Sequence, residues 1–251
     1  MLDQVKKIAI IAGKEIMSIY KKDFKIDFKK DDSPLTTADQ LSHHLIIKEL
    51  TDCWANIPIL SEEGASIPYH ERSGWETFWL VDPLDGTKEF IKKNNEFTVN
   101  IALIHNGAPV LGVIYAPALD TLYYAKKNVG AFKQIGANKP ISLPNVSVTD
   151  HKSVVTSRSH LSEETISYLN ELKKKEGKLE TITVGSSLKF CLIAEGAAHY
   201  YPRLAPTMEW DTAAGQIILE EAGGAVIVQN TGSKLMYNKY HLTNPSFTCF
   251  M

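Results

Sequence analysis

The strongest constraint on how this 251-residue chain folds is where its carboxylates stand relative to its apolar runs. Phe78 to Val81 is apolar and β-rich, and it stops on Asp82-Pro83-Leu84-Asp85-Gly86-Thr87. Ile57 to Leu60 stops on Ser61-Glu62-Glu63-Gly64. Asp211 follows Trp210 at the start of a helical pattern, Thr212 to Ala222, that closes on Gly223-Gly224. Asp39 stands at a fourth element end, in the first turn of a helix predicted from Thr37 to about Cys53, with Thr36 or Thr37 as its cap. Apolar runs seek the interior, whereas clustered carboxylates resist it unless something positive sits among them. Buried strands whose acidic ends converge on a polynuclear metal centre satisfy both demands.

The Asp82 to Thr87 turn carries the most chemistry. Pro83 fixes one φ angle and Gly86 permits a tight reversal, so Asp82 and Asp85 can face one point. A hard divalent cation such as Mg²⁺ takes oxygen ligands, and the Leu84 carbonyl is a further candidate. Gly86-Thr87 opens a helix through Phe90 whose free N–H groups suit a phosphate oxygen. The plainer alternative is a surface β-turn whose acids cap the next helix. An EF-hand loop is a poor fit because its acids alternate around a glycine at the sixth position. Neither a GxxxxGK[ST] loop nor a GxGxxG fingerprint occurs in the chain.

Around these ends the chain reads as two lobes meeting at a seam near 136–150. Leu2, Val5, Ile8, Ala9, Ala12, Ile16 and Ile19 repeat at helical steps, so the first twenty residues form an amphipathic helix rather than a signal peptide. The charged run from Lys21 to Asp32 reads as a mobile loop or hairpin. Phe97 to His105, Val110 to Tyr115 and Leu122 to Ala125 suggest an antiparallel meander. Strands at Ser153 to Thr156, His199 to Tyr201 and Ala225 to Val228 alternate with helices at Glu163 to Lys175, Leu188 to Ala194 and Thr212 to Ala222. With 27 basic against 29 acidic residues the chain lacks the basic excess of a nucleic-acid binder. No run reaches the ~18 apolar residues of a membrane span. Cys53, Cys191 and Cys249 form neither a zinc pattern nor a disulfide framework, so inert buried thiols and a cytoplasmic location are expected. The histidines show no ligand spacing. Arginine occurs only at 72, 158 and 203, so 24 of the 27 basic residues are lysine. Such sparing use points to phosphate recognition at Arg203, is undecided at Arg158, and favours a surface or salt-bridging role at Arg72.

Together, Glu62-Glu63, the Asp82 to Thr87 motif twenty residues beyond Glu62, and Trp210-Asp211-Thr212-Ala213-Ala214-Gly215 with Glu221-Ala222-Gly223-Gly224 resemble the inositol monophosphatase superfamily. Its members are magnesium-dependent, lithium-sensitive phosphomonoesterases. Trp79 through Asn100, Ser157 to His160, Gly185 to Phe190 and Tyr201-Pro202-Arg203 are most similar to its CysQ-type 3'(2'),5'-bisphosphate nucleotidases. The resemblance implies an α/β fold, a layered αβαβα sandwich, with all 251 residues in one catalytic domain. Its lobes would span roughly 1–138 and 139–251. It implies that Glu62, Asp82 and the Leu84 carbonyl hold one Mg²⁺, and Asp82, Asp85 and Asp211 a second, with a third ion in turnover left open. Thr87, supported by Asp39, would orient the attacking water, and Gly86-Thr87 would hold the scissile phosphate. Ser186, Lys189, Arg203 and His160 would surround the nucleoside and its 5'-phosphate. The substrate implied is adenosine 3',5'-bisphosphate, and some family members sit peripherally at the inner membrane. Rival readings are a same-fold enzyme acting on inositol phosphates or fructose 1,6-bisphosphate, and a catalytically silent nucleotide or metal sensor.

Overall fold

The computed structural model describes residues 1–22, 26–28, 34–146, 152–158 and 162–251. The expected amphipathic helix is α1 (Leu2–Tyr20), and Val5, Ile8, Ala9, Ala12 and Ile16 of its stripe are buried. Beyond it β1 (Ile26–Phe28), inside the charged run, pairs antiparallel with β2 (Pro34–Thr36), and the rest of that run from 23 to 32 lies outside the described residues. Then follow α2 (Thr37–Cys53), β3 (Ile59–Ser61), α3 (Tyr69–Arg72), β4 (Thr77–Asp85) and α4 (Thr87–Ile91). The meander comprises β5 (Thr98–His105), β6 (Ala108–Ala116), β7 (Thr121–Lys126), β8 (Gly130–Ile135) and β9 (Ile141–Ser142). The remainder alternates: β10 (Lys152–Ser157), α5 (Glu163–Glu176), β11 (Leu179–Val184), α6 (Leu188–Glu195), β12 (Tyr200–Arg203), α7 (Glu209–Glu221), β13 (Ala225–Val228) and β14 (Phe247–Phe250).

The first sheet runs β3-β4-β5-β6-β7-β8-β9 and is antiparallel except at β3–β4. The second runs β11-β10-β12-β14-β13, with β11, β10 and β12 mutually parallel. Helices α1 and α2 pack on one face of the first sheet, α6 and α7 fill the space between the sheets, and α5 covers the second. This is the expected αβαβα layering. The first sheet takes its last strand from Ile141–Ser142, a few residues past the lobe limit of 138 read from the sequence.

Strands covered on both faces explain why their sequences lack polar alternation. Phe78 and Leu80, Ala102 and Ile104, Ile114 and Ala116 enter the core shared with α6 and α7. Their neighbours Trp79 and Val81, Ile101 and Leu103, Val113 and Tyr115 enter the core beneath α1 and α2. Each side chain chooses its helix layer by the parity of its position.

Four features differ from the sequence reading. The strand expected at Phe78 to Val81 continues to Asp85, because pairing with β5 resumes at Asp85–Thr98 after an irregularity spanning Pro83 and Leu84. Helix α7 begins at Glu209, which puts Asp211 inside its first turn. Arg72 is buried rather than superficial, bonded to Asn238 and to the carbonyls of Lys239 and Tyr240. Cys191 and Cys249 are buried, whereas Cys53 is exposed at the end of α2.

Helix α7 lies against the first sheet at Gly112, where a Cβ would come within 2.4 Å of Ile217 Cγ2 and 2.8 Å of the Ala214 carbonyl. Gly112→Ala therefore overpacks this seam and should lower the unfolding free energy by roughly 1–3 kcal/mol. Denaturant titration of the purified variant checks this, and an unchanged midpoint would show that the helix moves away freely.

Candidate functional site

Parallel pairing of β3 and β4 sets Ser61 beside Val81, and the Glu62 N–H donates to the Val81 carbonyl at 3.1 Å. Glu62 and Asp82 thus leave adjacent strand ends together. Asp211 arrives from the first turn of α7, and one oxygen from each of the three carboxylates lies within 4.8 Å of the others. Asp82 is buried, and burial first, then Glu62, Asp85 and Asp211, push its carboxyl well above the ordinary carboxylate range. Burial, Asp85 and Glu62 act on Asp211 in the same direction, opposed by the Met208 N–H and Arg203. Neighbouring groups fix the orientations. The Leu84 N–H donates to Asp82 Oδ1 at 3.1 Å, and Ser187 Oγ lies 2.7 Å from Asp85 Oδ2 and 2.8 Å from the Asp211 carbonyl. Asn100 Nδ2 donates to Ser187 Oγ at 2.9 Å. The donor set is oxygen alone and strongly anionic, which fits a hard divalent cation and not a thiolate- or imidazole-seeking metal.

Beside the acids stands a pair set by a helix cap. Asp39, third residue of α2, accepts from the Thr36 N–H at 2.7 Å and the Thr36 hydroxyl at 2.6 Å through Oδ2. Its other oxygen, Oδ1, accepts from the Thr87 hydroxyl at 3.1 Å. Thr87 opens α4 after Gly86, whose φ of 93° is left-handed. A Cβ at Gly86 would meet the Glu96 carbonyl at 2.9 Å, so glycine alone fits this turn comfortably.

Glu62, Asp85, Gly86, Thr87 and Asp211 line a cleft of about 230 Å³. Ser186, Lys189 and Arg203 line it too, arriving from the second sheet and its helices. Asp39, Asp82 and Leu84 lie outside the lining, and Asp39 bonds to Thr87 from beneath it. His160 falls outside the described residues. Ser186 has a φ of 47°, and its buried hydroxyl has no partner among the described residues. Lys189 donates to the Ser186 carbonyl at 2.5 Å and stands 5.6 Å from the centre of the Tyr201 ring. Burial outweighs the pull of Asp85 and, with Arg203 nearby, draws the Lys189 ammonium down to about 8. Arg203 donates to Ser157 Oγ and the Pro206 carbonyl, both at 2.8 Å, and its buried Nε has no partner among the described residues. Arg158 pairs with Glu96 instead of standing free. Sequence reasoning passed over Ser187, Asn100 and Glu96. Ser187 lies within a stretch quoted for its resemblance, but nothing in its own neighbourhood signals a bond to Asp85 across about a hundred residues.

The sequence pattern of the Inositol monophosphatase family matches residues 1–247. This chain belongs to the inositol monophosphatase family. Among curated relatives, 3'(2'),5'-bisphosphate nucleotidase CysQ of Salmonella typhimurium is 46% identical over 98% of both chains. The protein of the same name from Escherichia coli K12 is 44% identical with the same coverage. The crystal structure of CysQ from Bacteroides thetaiotaomicron superposes with a TM-score of 0.90 at 47% identity, covering 99% of this chain and 96% of that one.

The acidic cluster of this inositol monophosphatase family member has a thermodynamic cost when no cation is bound. Carboxyls whose folded pKa is raised are protonated in both states below about pH 4, so no penalty exists there. As pH rises above that value the unfolded chain ionises first, and folding stability falls. In chelator-treated protein Asp82→Asn should therefore raise Tm by a few degrees at pH 7.5, at about 2–4 °C per kcal/mol, with the gain vanishing toward pH 4. Calorimetric scans across pH measure it. A loss of stability at pH 7.5 would mean that the carboxylates are not in conflict.

Proposed function

We propose that this protein is a cytoplasmic, Mg²⁺-dependent 3'(2'),5'-bisphosphate nucleotidase of sulfur metabolism. It hydrolyses the 3'-phosphate of adenosine 3',5'-bisphosphate to give AMP, and accepts the sulfated relative of that nucleotide. The observation that carries this reading is the make-up of one cleft wall, which joins Glu62, Asp85 and Asp211 to Lys189 and Arg203. Cations held by the acids take one phosphate, and Lys189 and Arg203 offer positive charge for another. A substrate with two phosphates needs both. The names of the 44–46% identical relatives agree with this.

In this reading Glu62, Asp82, Asp85, Asp211 and the Leu84 carbonyl hold the cations. Two or three Mg²⁺ ions bound there supply charge neutralisation of the phosphoryl oxygens and acidity to the attacking water. The chain itself sets the line of attack. Asp39 Oδ2 is committed to the cap of α2, and Oδ1 accepts a hydrogen bond from the Thr87 hydroxyl. The lone pairs of Thr87 Oγ1 are thereby left to accept a proton of the water and point its oxygen at phosphorus. Gly86 and Thr87 hold the scissile group, while Ser186, Lys189, Arg203 and His160 take the nucleoside and the 5'-phosphate. Displacement then proceeds in line.

Asp85→Asn and Asp211→Asn should each lower kcat by about 1,000-fold or more while leaving the protein folded, because several kcal/mol of charge stabilisation go with the lost ligand. Phosphate release at saturating Mg²⁺ measures this, and turnover at the wild-type rate in either variant would remove that residue from the cation site.

Arg203→Met separates a nucleotidase from an inositol phosphatase of the same fold. Loss of a charge-assisted hydrogen bond of about 1.5–3 kcal/mol should cut kcat/KM for adenosine 3',5'-bisphosphate by about 10–150-fold. Adenosine 3'-monophosphate, already a poor substrate, should be nearly indifferent. Parallel losses on both substrates, or a wild type that prefers inositol monophosphate or fructose 1,6-bisphosphate, would overturn the assignment.

A further inference from the structure

Glu96, just before β5, stands where the two walls of the cleft meet. Its carbonyl oxygen lies 2.9 Å from the position a Cβ would take on Gly86 and 3.1 Å from the equivalent position on Gly185. The Gly86–Thr87 turn and the Gly185–Ser186 turn therefore close on the same peptide, and the Cβ position on Gly86 lies 3.1 Å from Ser186 Cβ. The side chain strengthens the join. Oε2 accepts from the Gly185 N–H at 2.8 Å and from Arg158 Nε at 2.8 Å, and Oε1 accepts from Arg158 Nη2 at 2.6 Å. Arg158 is anchored again at the Thr183 carbonyl, 3.1 Å away, on the strand that leads into the turn. Burial works against the charge on Glu96, but Arg158, the Gly185 N–H and Lys189 outweigh it and hold the carboxyl below its ordinary range.

The turn held in this way is a costly one. Ser186 is a non-glycine residue in the left-handed region, and conformations of that kind persist only where surroundings impose them. Its carbonyl takes the Lys189 ammonium, and its buried hydroxyl, which has no partner among the described residues, belongs to a residue of the cleft wall. We propose that Glu96 is a positioning residue for substrate specificity. By gripping Gly185 and Arg158 it fixes the strained Gly185–Ser186 turn, and with it Ser186 and Lys189, at a set distance from Thr87 and the metal-binding acids. Glu96 itself does not line the cleft. Its second effect is to keep Arg158, which lines the cleft, engaged with protein and away from phosphate.

This assignment rests on the bisphosphate reading given above, and the experiment keeps the two apart. Steady-state kinetics are measured with Mg²⁺ for wild type, Glu96→Ala, Glu96→Gln and Arg158→Met on adenosine 3',5'-bisphosphate and adenosine 3'-monophosphate, with thermal melting of each variant alongside. Glu96→Ala should raise KM for the bisphosphate about tenfold or more while kcat stays within about threefold, shrinking the preference for the bisphosphate over the monophosphate. Glu96→Gln keeps an acceptor for the Gly185 N–H and should recover part of that loss. Arg158→Met should do less damage than Glu96→Ala, since the Gly185 bond survives it. A fall in kcat alike on both substrates, no rescue by glutamine, or a larger loss in Arg158→Met would overturn the proposal. Should wild type prefer a different phosphoester, the bisphosphate reading fails, and Glu96 is judged by the same KM-against-kcat split on that substrate.

Discussion

Mutual repulsion among Glu62, Asp82, Asp85 and Asp211 is the constraint around which the rest is arranged. Carboxylates so close, with Asp82 fully out of water, would drive their own strand ends apart unless every neighbour restrained them. The restraints are visible in the Leu84 N–H at Asp82, Ser187 at Asp85 and the Met208 N–H at Asp211. Behind them stand the parallel register of β3 on β4 and the close seat of α7 on β6. Stability is spent locally to hold a charge distribution that only a cation makes comfortable.

Two of the site aspartates do a second job. Asp39 and Asp211 are each the third residue of a helix, and each gives Oδ2 to the N–H of the residue before the first turn. This cap removes one oxygen from further use and fixes the aim of the other. For Asp39 the result is visible, since Oδ1 takes the Thr87 hydroxyl. The start of a helix, a strictly local event in the chain, thus sets the direction of a group that serves the cleft.

Local signals carried most of the sequence reading. Helical spacing located α1 and α2 closely, and the apolar runs located β5, β6 and β7 of the meander but not β8 or β9, because both patterns repeat within a few residues. β11 and α3 escaped notice since one is a largely exposed edge strand and the other a single turn, neither with a strong apolar period. The acids were legible because they interrupt apolar runs at element ends. Ser187 and Glu96 were not. Their partners lie far along the chain, at Asp85 and at Arg158 and Gly185, and only the folded sheets bring them together. Arg72 misled for the same reason, because a lone arginine gives no hint that carbonyls about 170 residues away will bury it.

Acids and cations are carried by different elements of the fold. Glu62, Asp82 and Asp85 belong to the first sheet and Asp211 to the helix seated on it, whereas Ser186, Lys189 and Arg203 come from the β11–α6 turn, α6 and β12. Chemistry and recognition are therefore separable cargo in one framework. Under the proposed function, substitutions in the turn or at the end of β12 would alter how a phosphoester is gripped and leave the acidic oxygens in place. Ser187 is the residue of that turn that reaches across to Asp85, so the freedom to diverge begins on either side of it.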